Sequence, residues 1–261
     1  MQKRRALKAV AALLVCAACG LGSIGCTAES EPAPTTSAPT TTTPSPEPTP
    51  EPEPEPEPVF DRGAHSVDDP MSLWVVSNKR RPLNPIDFAP SDLVMPQGVE
   101  NEWAQPLREP TARAVEALIG AAAAAGHQVW IISAYRDYGT QVSLYNRYVA
   151  RDGQALADTY SARPGHSEHQ TGLVVDLDDH GGCYLNACFG DTPAGVWLAE
   201  NAADYGFIMR YPPGMDHITG FTYEPWHFRY VGVELAQEMR RTGILTLEEF
   251  FGLEPAPDYG V

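Results

Sequence analysis

The stretch PGHSEHQTGLVVDL, residues Pro164–Leu177, decides how this chain folds around its reactive residues. Its second half, LVVDL, is rich in β-branched side chains and predicts a strand. His169 lies in the preceding loop, Asp176 lies near the end of the strand, and Gly172 lets the backbone turn between them. A histidine and a carboxylate carried by one strand and its leading loop can converge on a single cation, although the spacing alone does not prove it.

The sequence on both sides of this stretch mixes helices with short strands. Helical patterns cover residues 109–126, 137–153, 192–206, 233–241 and 247–251, and strand patterns cover residues 129–133, 173–177, 207–211 and 226–232. In the second of these helices, Val142, Tyr145 and Val149 have the spacing of a buried stripe. The pattern predicts an α+β fold in which helices pack against one mostly antiparallel sheet.

The amino terminus reads as an export signal followed by a spacer. MQKRR is positively charged, and residues 6–21 are mostly apolar and rich in Ala and Leu. SIG before Cys26 resembles a bacterial lipobox with Ser23 where leucine is usual. Residues 1–26 are therefore predicted to be a lipoprotein signal with Cys26 lipidated, which would anchor the protein on the outer face of the membrane. Ordinary secretion into the cell wall is the alternative.

Residues 27–60 contain many Pro, Thr and Glu residues and little that can be buried, which predicts a disordered segment. Its repeated Glu-Pro pairs favour an extended spacer, and the alternative is an inert tail. Residues 61–261 then form one domain of ordinary size.

The charge and cysteine content of residues 61–261 limit the possible partners. This part of the chain has 27 acidic and 14 basic residues, a net charge of −13 with histidine neutral, which argues against nucleic acid as a partner. Its two cysteines, Cys183 and Cys188, are predicted to form a local disulfide because the chain carries an export signal. A second metal site is the alternative. Nothing in the sequence indicates an oligomeric state.

The segment YEPWHFRY supplies what the opening stretch lacks for metal chemistry. Catalytic zinc needs three nitrogen or oxygen ligands and an open position for water. It also needs a nearby base that takes the proton of the water. His227 fits as the third ligand beside His169 and Asp176, and Glu224, three residues before His227, fits as the base. The sequence therefore predicts one Zn²⁺ ion and metal-assisted hydrolysis.

Four blocks of the chain resemble the VanY-type D-alanyl-D-alanine carboxypeptidases, relatives of the VanX dipeptidases with a Hedgehog/DD-peptidase-like zinc fold. They are SAYRDYGTQ, PGHSEHQTGLVVDL, ENAADYGFIMRYP and YEPWHFRYVG, and the similarity runs from about Trp74 to Gly232. The resemblance implies hydrolysis of the terminal D-Ala from peptidoglycan stem peptides that end in D-Ala-D-Ala. It also implies a set of roles: zinc ligands His169, Asp176 and His227, general base Glu224, and substrate-side residues Arg136, Gln141 and Ser167.

The resemblance leaves several choices open. Arg136 can bind the carboxylate of the substrate, stabilise the oxyanion, or form a structural salt bridge, and Ser167 can bind the substrate carboxylate or cap its loop. Ala134 and Asp137 depart from the SGYRS block of the family. Alternative functions are an L,D-carboxypeptidase, a peptidoglycan endopeptidase, or a non-catalytic module that binds the cell wall. No S-x-x-K motif of a serine-type penicillin-binding enzyme occurs in residues 61–261.

Overall fold

The strand predicted at LVVDL lies inside an antiparallel sheet in the computed structural model of this chain, which describes residues 59–260. The strands are β1 (Leu93–Val94), β2 (Leu107–Arg108), β3 (Trp130–Ser133), β4 (Val174–Asp178), β5 (Phe207–Met209) and β6 (His227–Tyr230). The α-helices are α1 (Glu109–Ala124), α2 (Tyr138–Asp152), α3 (Gln154–Ala157), α4 (Pro193–Asn201), α5 (Asp216–Thr219), α6 (Val233–Thr242) and α7 (Leu247–Phe251). Short 3₁₀ turns cover Glu168–Thr171, Ala187–Asp191 and Ala202–Tyr205.

Four strands form the main sheet in the order β3-β4-β6-β5, and every neighbouring pair is antiparallel. The remaining two strands, β1 and β2, form a small antiparallel pair. The sequence prediction of an α+β fold with a mostly antiparallel sheet is therefore confirmed.

One face of the main sheet is covered by α1 and α4. Alternate residues of the inner strands, such as Val175 and Phe228, enter this core together with Leu118 of α1 and Leu198 of α4, and all four are fully buried. A second apolar cluster joins Ile208 to residues of α6 and α7. Because side chains of a strand alternate in direction, Asp176, between Val175 and Leu177, points to the sheet face opposite α1 and α4.

The helix ends follow local sequence signals. The side chain of Asp137 accepts a hydrogen bond from the Thr140 backbone at the start of α2, which gives this departure from the family block a capping role. Thr192 caps α4 in the same way. Gly206, with a φ of 82°, ends the turn after α4 in the left-handed conformation that glycine adopts readily.

The buried stripe of α2 differs from the prediction. Gln141 and Tyr145 are the buried residues of this helix, whereas Val142 and Val149 are half-buried. Gln141 takes the inner position because its amide nitrogen donates a hydrogen bond to the Ala162 carbonyl, at 2.6 Å. Because its side chain has a backbone hydrogen-bond partner, the polar Gln141 can be buried where hydrophobic spacing predicts burial of Val142.

The predicted signal peptide, the lipidation site Cys26 and most of the predicted spacer lie outside the described residues. Phe60, at the predicted end of the spacer, already packs with its ring stacked on Trp74 at 5.6 Å between centroids. Among residues 59–260, no helix has the length and apolar character needed to cross a bilayer.

Candidate metal centre

Asp176 and His227 are brought together by the register of the sheet. Asp176 of β4 lies directly opposite His227 of β6, so both side chains leave the same face from neighbouring strands. The His227 Nδ1 atom lies 3.2 Å from Asp176 Oδ1. Hydrogen bonds between β4 and β6 thus bring together two residues that are separated by about fifty residues in the sequence.

His169 reaches the same point from the 3₁₀ turn before β4. Gly172 ends this turn at a φ of 69°, and a Cβ atom there would lie 2.9 Å from the side chain of Arg108, so both conformation and space require glycine. The His169 Nδ1 atom is 2.7 Å from the Ala134 carbonyl, which makes Nδ1 the protonated nitrogen. This leaves the Nε2 lone pair of His169 facing Asp176 Oδ2 at 3.3 Å. Since a backbone carbonyl accepts the bond, alanine at position 134 serves as well as glycine.

The three side chains form a compact group of donors. One ligand atom from each of His169, Asp176 and His227 lies within 4.8 Å of the others, and all three residues are buried. Asp176 Oδ1 has no hydrogen-bond partner among the described residues, which leaves a buried carboxylate oxygen directed at the centre of the group. Burial alone would raise the pKa of Asp176, but the two imidazoles lower it well below its ordinary value. Two imidazole nitrogens and an ionised carboxylate are a donor set that suits zinc.

Glu224 lies beside this group without belonging to it. The turn formed by Pro225 and Trp226 places the Glu224 Oε2 atom 3.5 Å from His227 Nδ1. Burial raises the pKa of the Glu224 carboxyl to about 8, and the Asp176 carboxylate adds to this effect, while His227 and Arg136 oppose it. A cation held by the three donors would favour the ionised form of Glu224.

The donors open into a cavity of about 560 Å³ that also contains Arg136, Tyr211 and Trp226. The backbone N–H of Arg136 donates to the His169 carbonyl, which fixes the start of the Arg136 side chain next to the donor group. Its Nε atom is buried and has no hydrogen-bond partner among the described residues. The Arg136 guanidinium therefore offers an unused donor to a bound anion, and it forms no salt bridge within the described residues.

The two remaining predicted substrate residues differ in position. Ser167 is buried and lines the cavity, and its side chain makes no capping hydrogen bond to the 3₁₀ turn that follows. Gln141 is only 1% exposed and lies behind the cavity wall, where it holds the Ala162 carbonyl. Its Oε1 atom has no partner among the described residues. Substrate contact by either residue stays a prediction.

A disulfide between Cys183 and Cys188 closes a loop at the rim of the cavity, with a Cα–Cα distance of 5.6 Å. Leu185 and Asn186, inside this loop, line the cavity. The Tyr184 hydroxyl adds a second anchor, because it lies 2.9 Å from the Glu102 carboxylate. The disulfide thus fixes the shape of one cavity wall.

Sequence reasoning missed a buried ionic cluster behind the metal centre. Glu168 Oε1 accepts hydrogen bonds from Arg210 at 2.9 Å and from Arg229 at 2.7 Å, and Arg210 also pairs with Glu248 at 2.7 Å. All four side chains are fully buried. Two positions in the sequence could have indicated this cluster. Glu168 directly precedes His169, and Arg229 lies two residues after His227, on the same face of β6.

Asp178 and Asp179, which follow Asp176 along the chain, make no hydrogen bond to either imidazole within residues 59–260. Asp178 Oδ2 lies 3.4 Å from the Trp130 indole nitrogen, and Asp179 accepts a hydrogen bond from the backbone N–H of Gly181. Asp178 points to the same face of β4 as Asp176, but it lies two residues farther along the strand. There it is opposite Trp130 of the neighbouring strand β3.

Comparison with known proteins identifies related chains. Residues 104–233 match the family model described as VanY, D-alanyl-D-alanine carboxypeptidase. The chain is 38% identical over 195 residues to the protein YodJ of Bacillus subtilis (strain 168), covering 72% of this chain and 70% of YodJ.

Two solved structures carry the same fold. The LdcB LD-carboxypeptidase has a TM-score of 0.66 and 39% sequence identity, covering 70% of this chain and 87% of LdcB. A mutant of the vancomycin resistance D,D-pentapeptidase VanY in complex with Zn(II) has a TM-score of 0.57 and 31% identity, covering 67% of this chain and 97% of that one.

An antiparallel sheet that presents two histidines, an aspartate and an adjacent glutamate to one cavity defines a zinc peptidase of the Hedgehog/DD-peptidase-like fold. The chain belongs, more narrowly, to the VanY family of D-alanyl-D-alanine carboxypeptidases.

Proposed function

We propose that this protein is a zinc-dependent D-alanyl-D-alanine carboxypeptidase that removes the terminal D-Ala from peptidoglycan stem peptides. The observation that carries the proposal is the convergence of His169, Asp176 and His227 within 4.8 Å at the base of one cavity, with Glu224 beside them. The family assignment and the D,D-pentapeptidase activity named for the solved VanY structure support the choice of substrate.

His169 Nε2, Asp176 and His227 Nδ1 would hold the zinc ion. When bound, zinc supplies Lewis acidity, which polarises the scissile carbonyl and makes water easier to deprotonate. The hydrogen bond from His169 Nδ1 to the Ala134 carbonyl keeps Nε2 available as a donor atom. The negative charge of Asp176 offsets part of the charge of the cation in this buried site.

Glu224 is the proposed general base. It lies within 3.5 Å of a ligand atom but contributes none of the three clustered donors, so its carboxylate can accept a proton from attacking water. The same carboxyl group can then deliver this proton to the amine of the leaving D-Ala. Burial raises the pKa of Glu224, and a bound cation would counter this effect and keep the carboxylate in the ionised form that a general base needs.

Arg136 is proposed to bind the free C-terminal carboxylate of the substrate. Its buried Nε lacks a partner among the described residues, and a planar guanidinium binds a carboxylate in a bidentate manner. Ser167 lines the same cavity and can add a hydrogen bond to the substrate. Gln141 would act from behind the wall, by holding the Ala162 carbonyl at the cavity edge.

The test is to incubate the purified protein with a stem pentapeptide and, separately, with the corresponding tetrapeptide, and to follow the peptide masses. The proposal predicts loss of one alanine from the pentapeptide, with the tetrapeptide left intact. Activity should disappear with a chelator and return when zinc is added. An intact pentapeptide in the presence of zinc contradicts the proposal.

An L,D-carboxypeptidase is the second candidate, favoured by the similarity to LdcB at 39% identity. It would shorten the tetrapeptide in the same assay. A peptidoglycan endopeptidase would instead release fragments from cross-linked peptides. A non-catalytic wall-binding module would cleave neither peptide, and the grouping of all three predicted ligands with Glu224 argues against it.

The proposed location follows from the amino-terminal sequence. A signal with a lipidated Cys26 and a Glu-Pro-rich spacer would hold the enzyme at the outer face of the membrane, within reach of the cell wall. Labelling cells with a radioactive or clickable fatty acid would detect the anchor. The wild-type protein should be labelled, and the replacement Cys26→Ala should abolish the labelling. If the protein is simply secreted, neither the wild-type protein nor the variant would be labelled.

A further inference from the structure

Two buried polar atoms behind the metal centre face each other, and within residues 59–260 neither has a hydrogen-bond partner. His227 Nε2 and Glu168 Oε2 are both shielded from solvent, and neither has a partner among the described residues. The two atoms lie 3.9 Å apart. A buried polar atom left unpaired is destabilising, so a pair of them side by side calls for an explanation.

The other carboxylate oxygen of Glu168 is firmly held. Oε1 accepts hydrogen bonds from Arg210 at 2.9 Å and from Arg229 at 2.7 Å, while Arg210 is shared with Glu248. Two guanidinium groups and two carboxylates balance in charge within this cluster. Two guanidinium donors thus hold Glu168 as a carboxylate acceptor whose second oxygen is unused within the described residues.

The position of this oxygen matches what a histidine ligand needs. A histidine that binds a metal through one ring nitrogen usually donates its other N–H to a carboxylate or carbonyl, which fixes the tautomer and the ring. His169 has such a partner in the Ala134 carbonyl. His227 directs Nδ1 at Asp176 and Nε2 at Glu168. Closing the 3.9 Å gap by about 1 Å would give an ordinary N–H···O hydrogen bond.

We propose that Glu168 is a positioning residue for the metal centre, whose carboxylate accepts a hydrogen bond from His227 Nε2 and so keeps Nδ1 free to bind zinc. This inference rests on the proposed use of His227 as a zinc ligand. Glu168 directly precedes the ligand His169 in the sequence, but it would orient the other histidine ligand, His227. Its ion pair with Arg229 links Glu168 to β6, the strand that carries His227.

The test compares zinc affinity in Glu168→Gln and in the matched variant Glu248→Gln, using competition with a chromophoric chelator. Both variants remove one carboxylate of the same buried cluster, but Glu248 makes no contact with His227, so destabilisation of the fold is common to both. Loss of such a hydrogen-bond partner weakens metal binding about 10- to 100-fold, and this is the loss expected for Glu168→Gln. Glu248→Gln should change zinc affinity less than about threefold.

A second measurement does not depend on either variant folding. In the zinc-loaded wild-type protein labelled with ¹⁵N-histidine, NMR should show His227 protonated at Nε2, with a slowly exchanging, downfield proton. Equal zinc affinity in the two variants, or a His227 whose Nε2 is deprotonated, would overturn the inference. Neither readout uses the peptide substrate, so release of D-Ala by the wild-type protein tests the proposed function separately.

Discussion

Glu224 is the residue whose replacement separates catalysis from metal binding. It lies 3.5 Å from His227 Nδ1 but outside the three-donor group. Glu224→Ala should lower kcat by about 10²- to 10⁴-fold, the usual contribution of a general base, while one zinc ion per chain is retained. The measurements are D-Ala release and metal analysis on the same preparation.

The control for this variant is Glu254→Ala, which removes an exposed carboxylate from the carboxy-terminal tail. It should match the wild-type protein in both measurements. If Glu224→Ala keeps full turnover, the assignment of the base is wrong. If it loses zinc together with activity, Glu224 acts as a ligand instead.

Arg136 can be tested with a changed substrate. If its guanidinium binds the terminal carboxylate, Arg136→Lys should raise KM more than it lowers kcat, since the contact forms before the transition state. A charge-assisted hydrogen bond contributes about 1.5–3 kcal/mol, which corresponds to about 10- to 100-fold in kcat/KM.

A peptide with an amidated C-terminus supplies the comparison for Arg136. The wild-type enzyme should discriminate strongly against the amide, and the Arg136→Lys enzyme should do so weakly. A fall in kcat with unchanged KM and unchanged discrimination would instead indicate stabilisation of the oxyanion.

At the residue scale, the sequence predicts the residues that meet at the metal centre but not what lies behind them. His169, Asp176, His227 and Glu224 stand in two recognisable blocks, and the sheet register brings those blocks together. The partners of Glu168 come from distant segments, and the sequence indicates only Arg229, by its position two residues after His227. Gln141, predicted at the substrate, is buried behind the cavity wall, and its contact with the substrate stays a prediction.

The loop closed by Cys183 and Cys188 is an element whose removal should affect stability and substrate binding together. In the chain-entropy description, a loop this short contributes about 2 kcal/mol, which predicts a Tm lower by about 4–8 °C in the double Cys→Ser variant. Because Leu185 and Asn186 line the cavity, KM should rise while zinc affinity stays unchanged.

Differential scanning calorimetry and steady-state kinetics measure these two effects of the disulfide. Leu185→Ala is the matched variant, since it alters the same wall with the disulfide intact, and it should raise KM without lowering Tm to the same extent. A double Cys→Ser variant with unchanged KM would show that the loop does not shape the substrate site.

At the element scale, prediction succeeds where a segment is long or clearly capped. The helix α7 occupies the predicted residues 247–251, and α4 starts after Thr192 as its capping signal indicates. The two-residue strands β1 and β2 and the single-turn helices α3 and α5 were not predicted. Such segments are too short to carry a hydrophobic period, and tertiary contacts alone define them.

For the whole molecule, the buried ionic cluster predicts how stability depends on acid. Burial opposes ionisation of Glu248, but Arg210 and Asn78 lower its pKa below the ordinary value. A carboxyl group with a lowered folded-state pKa stabilises the fold fully above its unfolded pKa, about 4.3. That contribution is lost as the pH falls from there through the folded value.

Urea unfolding of the wild-type protein and of Glu248→Gln at pH 7 and pH 3.5 measures this contribution. At pH 7 the variant should be less stable by about 3–5 kcal/mol, because Arg210 loses a charged partner in a buried site. The difference should shrink at pH 3.5. A difference that stays constant or grows in acid would contradict the lowered pKa of Glu248.

The most direct test of the central claim is the anomalous X-ray signal at the zinc edge from crystals of the zinc-loaded protein. The account predicts one zinc peak per chain, bonded at about 2.0–2.2 Å to His169 Nε2, an Asp176 oxygen and His227 Nδ1, with Glu224 close by but not bonded. A zinc ion held by other residues, or no peak between these three side chains, would contradict it.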